Sequence, residues 1–477
     1  MAQHGVYVYE KATSVGVPAV AESGIPFVIG AAPIQSAANP AKIGDPVLCT
    51  SFEEAEAKLG YSENWKDYNL CEFMFSHFKL YGSQPVIFVN LLDPTATAMT
   101  EVVAAVDMDV VDCKVELPME AINDTTLVVK AAGGSGSAYE KDVDYAVYYS
   151  GDKCYVEVLA DGSAYDANSL NIAYHKVKPD LVTTGTVALG MEAIERCLGG
   201  LGVVPDLICA PGYSHDTTVA AVMAGKAAGI NGMFKAKALI DLSTKEGDGA
   251  TDYSEVNSVK NAKNITDVNQ IACWPMLKLG DRVFHMSTQL AGLMASVDTG
   301  NAGCPYESPS NKRLQADSMV LDSGEEVDLT HAQANILNAA GVVTGLNFMG
   351  GLVAWGNYNA CYPANSDVKD FMIPISRMFG WVGKTLIKTF WGKLDKPMNR
   401  RLIDTVIDTC NIWLNGLVGN EYVLGARAEF RESENPLTDL MAGIIRIHIY
   451  ITPPSPAQEI DFLLEYDVEY LTSALQG

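Results

Sequence analysis

Apolar positions along the chain follow two rhythms. Residues 5–9, Gly5-Val6-Tyr7-Val8-Tyr9, alternate as a strand does, and a segment of small and polar residues follows up to Ser23, which reads as an arm. Residues 25–30 (IPFVIG) and 85–92 (PVIFVNLL) are short continuous apolar runs of the kind buried in a sheet, with a helical segment over 68–80 between them. The alternation resumes with a helix over 187–198, a strand over 206–210, a helix over 216–228 capped by Asp216, and a strand over 236–242. Strands and helices in this order predict an α/β fold, a doubly wound mixed sheet core that is mostly parallel.

Residues 96–180 break the pattern with short β-rich runs divided by Gly133-Gly134, Gly136 and Ser150-Gly151-Asp152, and read as an inserted β-rich domain. Residues 245–269 are polar and read as an exposed loop. The last third is α+β. A helix over 397–416, with Pro397 in its first turn, carries Leu402, Ile403, Val406, Ile407, Cys410, Trp413 and Leu414 on one wide stripe that should be buried. Two alternating strands follow, over 445–451 and over 460–470; the second presents Ile460, Phe462, Leu464, Tyr466, Val468 and Tyr470 against mostly acidic neighbours. Pro453, Pro454 and Pro456 separate them with an extended, semi-rigid linker that cannot continue a ladder. The expected organisation is therefore an arm (1–23), a core (24–95 and 181–350), an insertion (96–180) and a C-terminal domain (351–477).

Both chain ends thus carry a strand joined to the body by a linker. Such strands either pair within their own chain, as most terminal strands do, or add to a sheet edge in another molecule; pattern alone favours the first.

Composition changes the picture modestly. At 477 residues the chain can bury a sizeable core, and its charged fraction of 19% is below the usual quarter, which suits a surface that meets other subunits. A net charge of −25 argues against a nucleic-acid binder. The N-terminus shows no basic, apolar leader pattern, and the most apolar stretch, 337–355, is broken by asparagines and glycines, so neither a targeting segment nor a membrane span is expected. Charge is also uneven: 371–431 holds nine basic and five acidic residues, whereas 432–477 holds Arg446 against eight acids. Opposite signs in adjoining segments suit head-to-tail contacts between copies. Lys384 and Lys388, four apart, share a helix face.

Candidate chemistry is sparse. Ser214-His215-Asp216 follows a strand, but three adjacent residues cannot form a triad and the nucleophile-elbow pattern is missing. The glycines near 133–136 lack phosphate-loop and dinucleotide spacing and read as a turn. Seven histidines without ligand spacing, an Asp107/Asp109/Asp112 cluster without a calcium-loop glycine, and ten scattered cysteines, read as buried thiols, point to no metal and no cofactor.

Several long segments resemble the tail sheath proteins of contractile phage tails and R-type bacteriocins. They are WGNYNACYP from Trp355, RMFGWVGKTLIKTFW from Arg377, NRRLIDTVIDTCNIWLNGLVGNEYVLGARAEF from Asn399 and NPLTDLMAGIIRIHIYITPPSPAQEIDFLLEYDVEYL from Asn435, with CPYESPSNKRL, DLICAPGYS and HGVYVYE leading to PFVIGAAP further upstream. Residues 96–180 match only as a variable outer insertion. The resemblance implies a non-enzymatic polymer: hexameric rings stacked around an inner tail tube, contracting from a metastable extended state to drive the tube through a cell envelope. Implied partners are the chain itself, the tube protein, and baseplate and tail terminator proteins, with no nucleic acid and no membrane insertion. The implied location is a virion tail or a released bacteriocin particle, assembled in the bacterial cytoplasm. It further implies that Val6, Tyr7, Val8 and Tyr9, and Ile460 to Tyr470, are strands donated between subunits, with Pro453, Pro454 and Pro456 as arm linkers. On that reading Lys384, Lys388 and Lys393 are assigned to the tube-facing surface. The alternatives are another self-assembling shell or surface-layer protein and, with a suitable sheet but no catalytic constellation, an α/β hydrolase.

Overall fold

The computed structural model describes residues 19–476. At its centre lies an eight-stranded sheet, entered by β1 (Pro26–Gly30), β2 (Val47–Cys49) and β3 (Val86–Asn90). The next six strands belong to the insertion: β4 (Thr100–Asp109), β5 (Lys114–Pro118), β6 (Val128–Ala131), β7 (Tyr145–Ser150), β8 (Lys153–Val158) and β9 (Ser169–Val177). The sheet resumes with β10 (Leu207–Cys209), β11 (Lys237–Asp241) and β12 (Gln270–Cys273). A small antiparallel sheet of β13 (Met276–Leu279), β14 (Arg282–Phe284), β15 (Ser318–Val320) and β16 (Glu326–Val327) intervenes before the hairpin of β17 (Val342–Asn347) and β18 (Leu352–Trp355) completes the central one.

The central order is β18-β17-β12-β11-β10-β1-β3-β2, with six parallel strands and an antiparallel strand at each edge. Every residue of β1, β3, β11 and β12 is buried, as apolar runs covered on both faces require. The mixed, mostly parallel sheet is thus as expected, and its last strand ends at Trp355. Asp216 caps the Thr217–Ala228 helix by accepting from the Thr218 and Val219 amides.

The insertion folds as two three-stranded antiparallel sheets, β4-β9-β6 and β5-β8-β7, around a core of its own that includes Val115, Leu117, Val129, Val156, Leu170 and Ile172. It meets the central body where Asp152 accepts from Ser62 Oγ and from the Glu63 amide, and where Gln35 Nε2 donates to the Met119 carbonyl. Asp107 is exposed and caps the glycine turn: it accepts from the Gly133 amide at 2.9 Å and from Asn171 Nδ2 at 2.7 Å.

The C-terminal part packs the Ile373–Phe390 and Arg400–Gly419 helices against a two-stranded antiparallel sheet of β19 (Gly425–Glu429) and β20 (His448–Thr452). Met378, Trp381, Val382, Cys410, Trp413, Leu414 and Leu417 form its core, with the Trp381 and Trp413 rings 5.6 Å apart.

Four local expectations need correction. The helix expected from Pro397 begins at Arg400, because Asn399 accepts from the Leu402 amide and caps it there; its first two turns are only half-buried. Residues 245–269 are not all loop, since Val256–Ala262 is helical and buries Val256 and Lys260. Nine of the ten cysteines are buried, but Cys113 is exposed at a turn. The strand expected over 460–470 is not a strand in this chain: 460–467 pairs with nothing regular and Val468–Gln476 is helical. Alternation alone does not make a strand; it needs a neighbouring ladder to satisfy its amides.

Candidate assembly interface

Two features stand out, a seam where the chain's first described residues are stitched to its C-terminal helices, and an unpacked C-terminal segment. The seam is built on one face of the Ile373–Phe390 helix, where Arg377, Trp381, Thr385 and Thr389 recur every four residues. Residues 19–25 run along that face. Thr389 Oγ1 accepts from the Ala19 amide and Thr385 Oγ1 from the Ala21 amide, each at 3.1 Å, and Trp381 Nε1 donates to the Ala21 carbonyl at 2.7 Å. Asp206, just before β10, then accepts from the Gly24 and Ile25 amides at 2.8 Å.

Beneath this run the Arg377 guanidinium forks onto the Asp298 carboxylate, which also accepts from Ser23 Oγ. Asp298 is fully buried and Arg377 is 6% exposed. Burial pushes the Asp298 carboxyl above its ordinary range even though Arg377 pulls the other way. Two carboxylates and one guanidinium therefore interlock four chain segments in a nearly dry site.

Lys384 belongs to this seam and not to a tube-facing surface. It is 3% exposed, donates to the Val204 carbonyl at 3.3 Å, and stands 3.9 Å from Asp206. It lies on the helix face that carries Arg377, Trp381 and Thr385, where the helix is packed; Lys388, one turn further on, has passed the edge of the body. Burial pulls the Lys384 ammonium down, offset in part by Asp206. Lys388 and Lys393 are exposed.

At the other end of the chain, Pro453 is buried and Pro454 and Pro456 are half-buried, so the linker starts docked. Beyond it the Tyr358 hydroxyl donates to Gln458 Oε1 at 2.7 Å. The chain then leaves the body: Phe462, Leu464 and Tyr466 are 85%, 96% and 73% exposed, and Ile460 and Tyr470 are exposed as well. Burying each such side chain is worth roughly 1.5–3 kcal/mol, so this segment is unstable against any surface that would cover it. The β19–β20 ribbon offers such a surface: among the described residues each strand pairs only with the other, and although Asn411 engages the Ala428 amide and carbonyl at the outer edge of β19, no strand lies beside the outer edge of β20. Val6 to Tyr9 lie outside the described residues.

The places where an α/β sheet usually hosts chemistry are filled. At the carboxyl end of β1, where the strand order reverses, Asn69 accepts from the Ala31 amide at 2.8 Å and donates to the Pro211 carbonyl. A Cβ on Gly30 would collide with the Asn69 amide, so the plug sits directly against the strand. Ser214 is buried and exchanges hydrogen bonds with Asp241, which also accepts from Ser287. His285 binds Glu72 through both its amide and Nδ1; burial alone would lower it, but the Glu72 carboxylate outweighs this and holds the ring up at about 9. Among the described residues no group of three His, Cys, Asp or Glu side chains could hold a metal ion.

Sequence reading missed the seam, although its signal was present: Asp298 is the lone charge on the Met286–Gly300 helix, and Arg377 and Lys384 share one face of a mostly apolar helix.

No protein-family profile matches the chain. The tail sheath protein of Burkholderia phage BcepMu is 24% identical to it over 493 aligned positions, covering 99% of this chain and 98% of the relative. Among solved structures, the helical sheath of the anti-feeding prophage in its contracted state matches with a TM-score of 0.59 at 14% identity, over 98% of this chain and 100% of that one. The sheath complex of the extracellular contractile injection system PVC, also contracted, matches with a TM-score of 0.58 at 14% identity, over 98% and 99%. The chain is thus similar from end to end, in sequence to a phage tail sheath protein and in fold to the sheath subunits of contractile injection systems.

Proposed function

We propose that this protein is the repeating subunit of a contractile sheath that stacks as hexameric rings around an inner tube and drives the tube into a target envelope by shortening. The observation that carries the reading is the C-terminal segment: large apolar side chains of 460–470 stand in solvent in a chain whose β19–β20 ribbon, among the described residues, has no third strand. On this reading Ile460, Phe462, Leu464, Tyr466, Val468 and Tyr470 become a strand on the ribbon of a neighbouring copy, and Val6, Tyr7, Val8 and Tyr9 add to the other edge. A ladder formed between copies would satisfy the amides that the isolated chain leaves outside any sheet.

Contraction then needs no nucleotide. The extended lattice is a kinetically trapped state, and release at the baseplate lets subunits rotate into a wider, more stable one while the ladders persist and the Pro453–Pro456 linkers flex. Lys388 and Lys393 contact the tube through exposed ion pairs of about 0.2–1 kcal/mol each, weak singly and adequate by repetition. The insertion of residues 96–180 faces outward. The role is structural and not catalytic, and the plugged crevice by Asn69 supports that view over the hydrolase alternative. Assembly takes place in the bacterial cytoplasm, with tube, baseplate and terminator proteins as partners.

Negative-stain imaging of the full chain expressed with its tube protein tests this: striated cylinders in a long and a short form are expected. Flat lattices or closed shells would instead identify a different assembly.

A further inference from the structure

A cavity of about 230 Å³ lies between the amino-terminal end of β11 and the Ile373–Phe390 helix. Five cationic side chains line it, Lys235, Lys237, Lys369, Arg377 and Lys384, against two carboxylates, Asp206 and Asp370, in a chain whose net charge is −25. Two of the cations are already committed: Arg377 to Asp298 and Asp206, and Lys369 to Asp370 and Asp367.

Of the other three, only Lys384 has a carboxylate within reach, and that one is shared with Arg377. Lys237 is 4% exposed and donates to the Val268 carbonyl at 2.7 Å and to Ser376 Oγ at 2.8 Å, both neutral. Among the described residues no carboxylate lies within ion-pair distance of it. Lys384 spends one N–H on the Val204 carbonyl and has Asp206 only at 3.9 Å. Lys235 is exposed at the rim, its stem beside Gly380 of the helix. An ammonium has three donors, so Lys237 and Lys384 between them hold spare N–H groups in a nearly dry site, where an unneutralised charge is costly. Burial has already pulled Lys237 down to about 7, the direction expected of a cation lacking its counter-charge.

We propose that this cavity is a binding site for a small oxyanion of the phosphate or sulfate class, held by Lys237 and Lys384 from opposite walls with Lys235 closing the rim. Such an anion ties β11 to the helix that anchors residues 19–25.

Inorganic phosphate is the probe, titrated by calorimetry into the full-length protein with chloride holding ionic strength constant. Saturable binding of one phosphate per chain is expected, with competition by sulfate and a rise in melting temperature. Lys235→Gln, at an exposed position, should weaken binding several-fold without harming the fold, and Lys237→Met should weaken it at least tenfold. If Lys237→Met fails to fold, Lys384→Met replaces it with the same expectation. Absence of saturable binding above the chloride background, or binding that Lys235→Gln and the buried-lysine variant leave unchanged, overturns the proposal.

Discussion

Replacing Arg377 by Met is the most demanding test of the seam. The substitution keeps much of the side chain's bulk and removes the guanidinium that forks onto Asp298, leaving a fully buried carboxylate with only Ser23 Oγ to bind. Breaking a buried pair from one side costs about 3–5 kcal/mol, which is roughly two to three and a half orders of magnitude in the local folding equilibrium. Replacing both members, Arg377→Met with Asp298→Leu, removes the stranded charge and should recover most of that loss. Trp381 and Trp413 pack in the same unit, so urea unfolding followed by tryptophan fluorescence reads the effect, expected as a midpoint about 1–3 M lower for the single variant.

The pH dependence has a definite sign. Asp298 is already raised above its unfolded value by burial, and without Arg377 it rises further. Between the unfolded and folded pKa the native state holds the extra proton, so stability falls as pH rises through that window. Acid should therefore relieve the single variant, which will sit closer to the parent protein at pH 5 than at pH 8. A loss below about 1 kcal/mol, or a double variant as unstable as the single one, would refute the seam as a buried, coupled network.

Truncation after Gln458 should leave the melting temperature within about 2 °C of the full chain, since 460–470 is exposed, and should abolish polymerisation as followed by sedimentation. Charge reversal at Lys388 and Lys393 should weaken co-assembly with the tube most at low salt, whereas Lys384→Glu, at a 3% exposed position, should destabilise the fold itself. Replacing residues 96–180 by a short linker should leave a protein that still polymerises, as seen by electron microscopy, because the insertion has its own core. Disrupting the His285–Glu72 pair with Glu72→Gln should cost stability below about pH 9, where the ring is charged, and progressively less as pH rises through that value, measured by thermal melts.

Central strands were legible because a parallel sheet covered on both faces writes itself as continuous apolar runs; 25–30, 85–92 and 236–242 all mark strands of the observed sheet. Short elements with mixed composition escaped notice. Val47–Cys49 is only three residues long, and Val256–Ala262 is a polar-looking helix whose burial depends on Lys260 reaching the Ala340 carbonyl. Spacing placed Lys384 and Lys388 together, but a four-residue step says nothing of where the body's edge falls along a helix. The 460–470 alternation is a true pattern, but within this chain it meets no ladder, and Val468–Gln476 is helical instead.

The run of residues 19–25 along the Ile373–Phe390 helix also fixes how that end of the protein bears load. Its hydrogen bonds at Thr389, Thr385 and Trp381 are spread along the helix axis. A pull directed along that axis strains them together, in shear, with the Arg377 fork beneath as a final stop; a pull directed away from the helix would peel them one at a time, beginning at Ala19. A lattice that tugs its subunits lengthwise would therefore meet the strong direction of the attachment, and one that lifted the segment outward would meet the weak one.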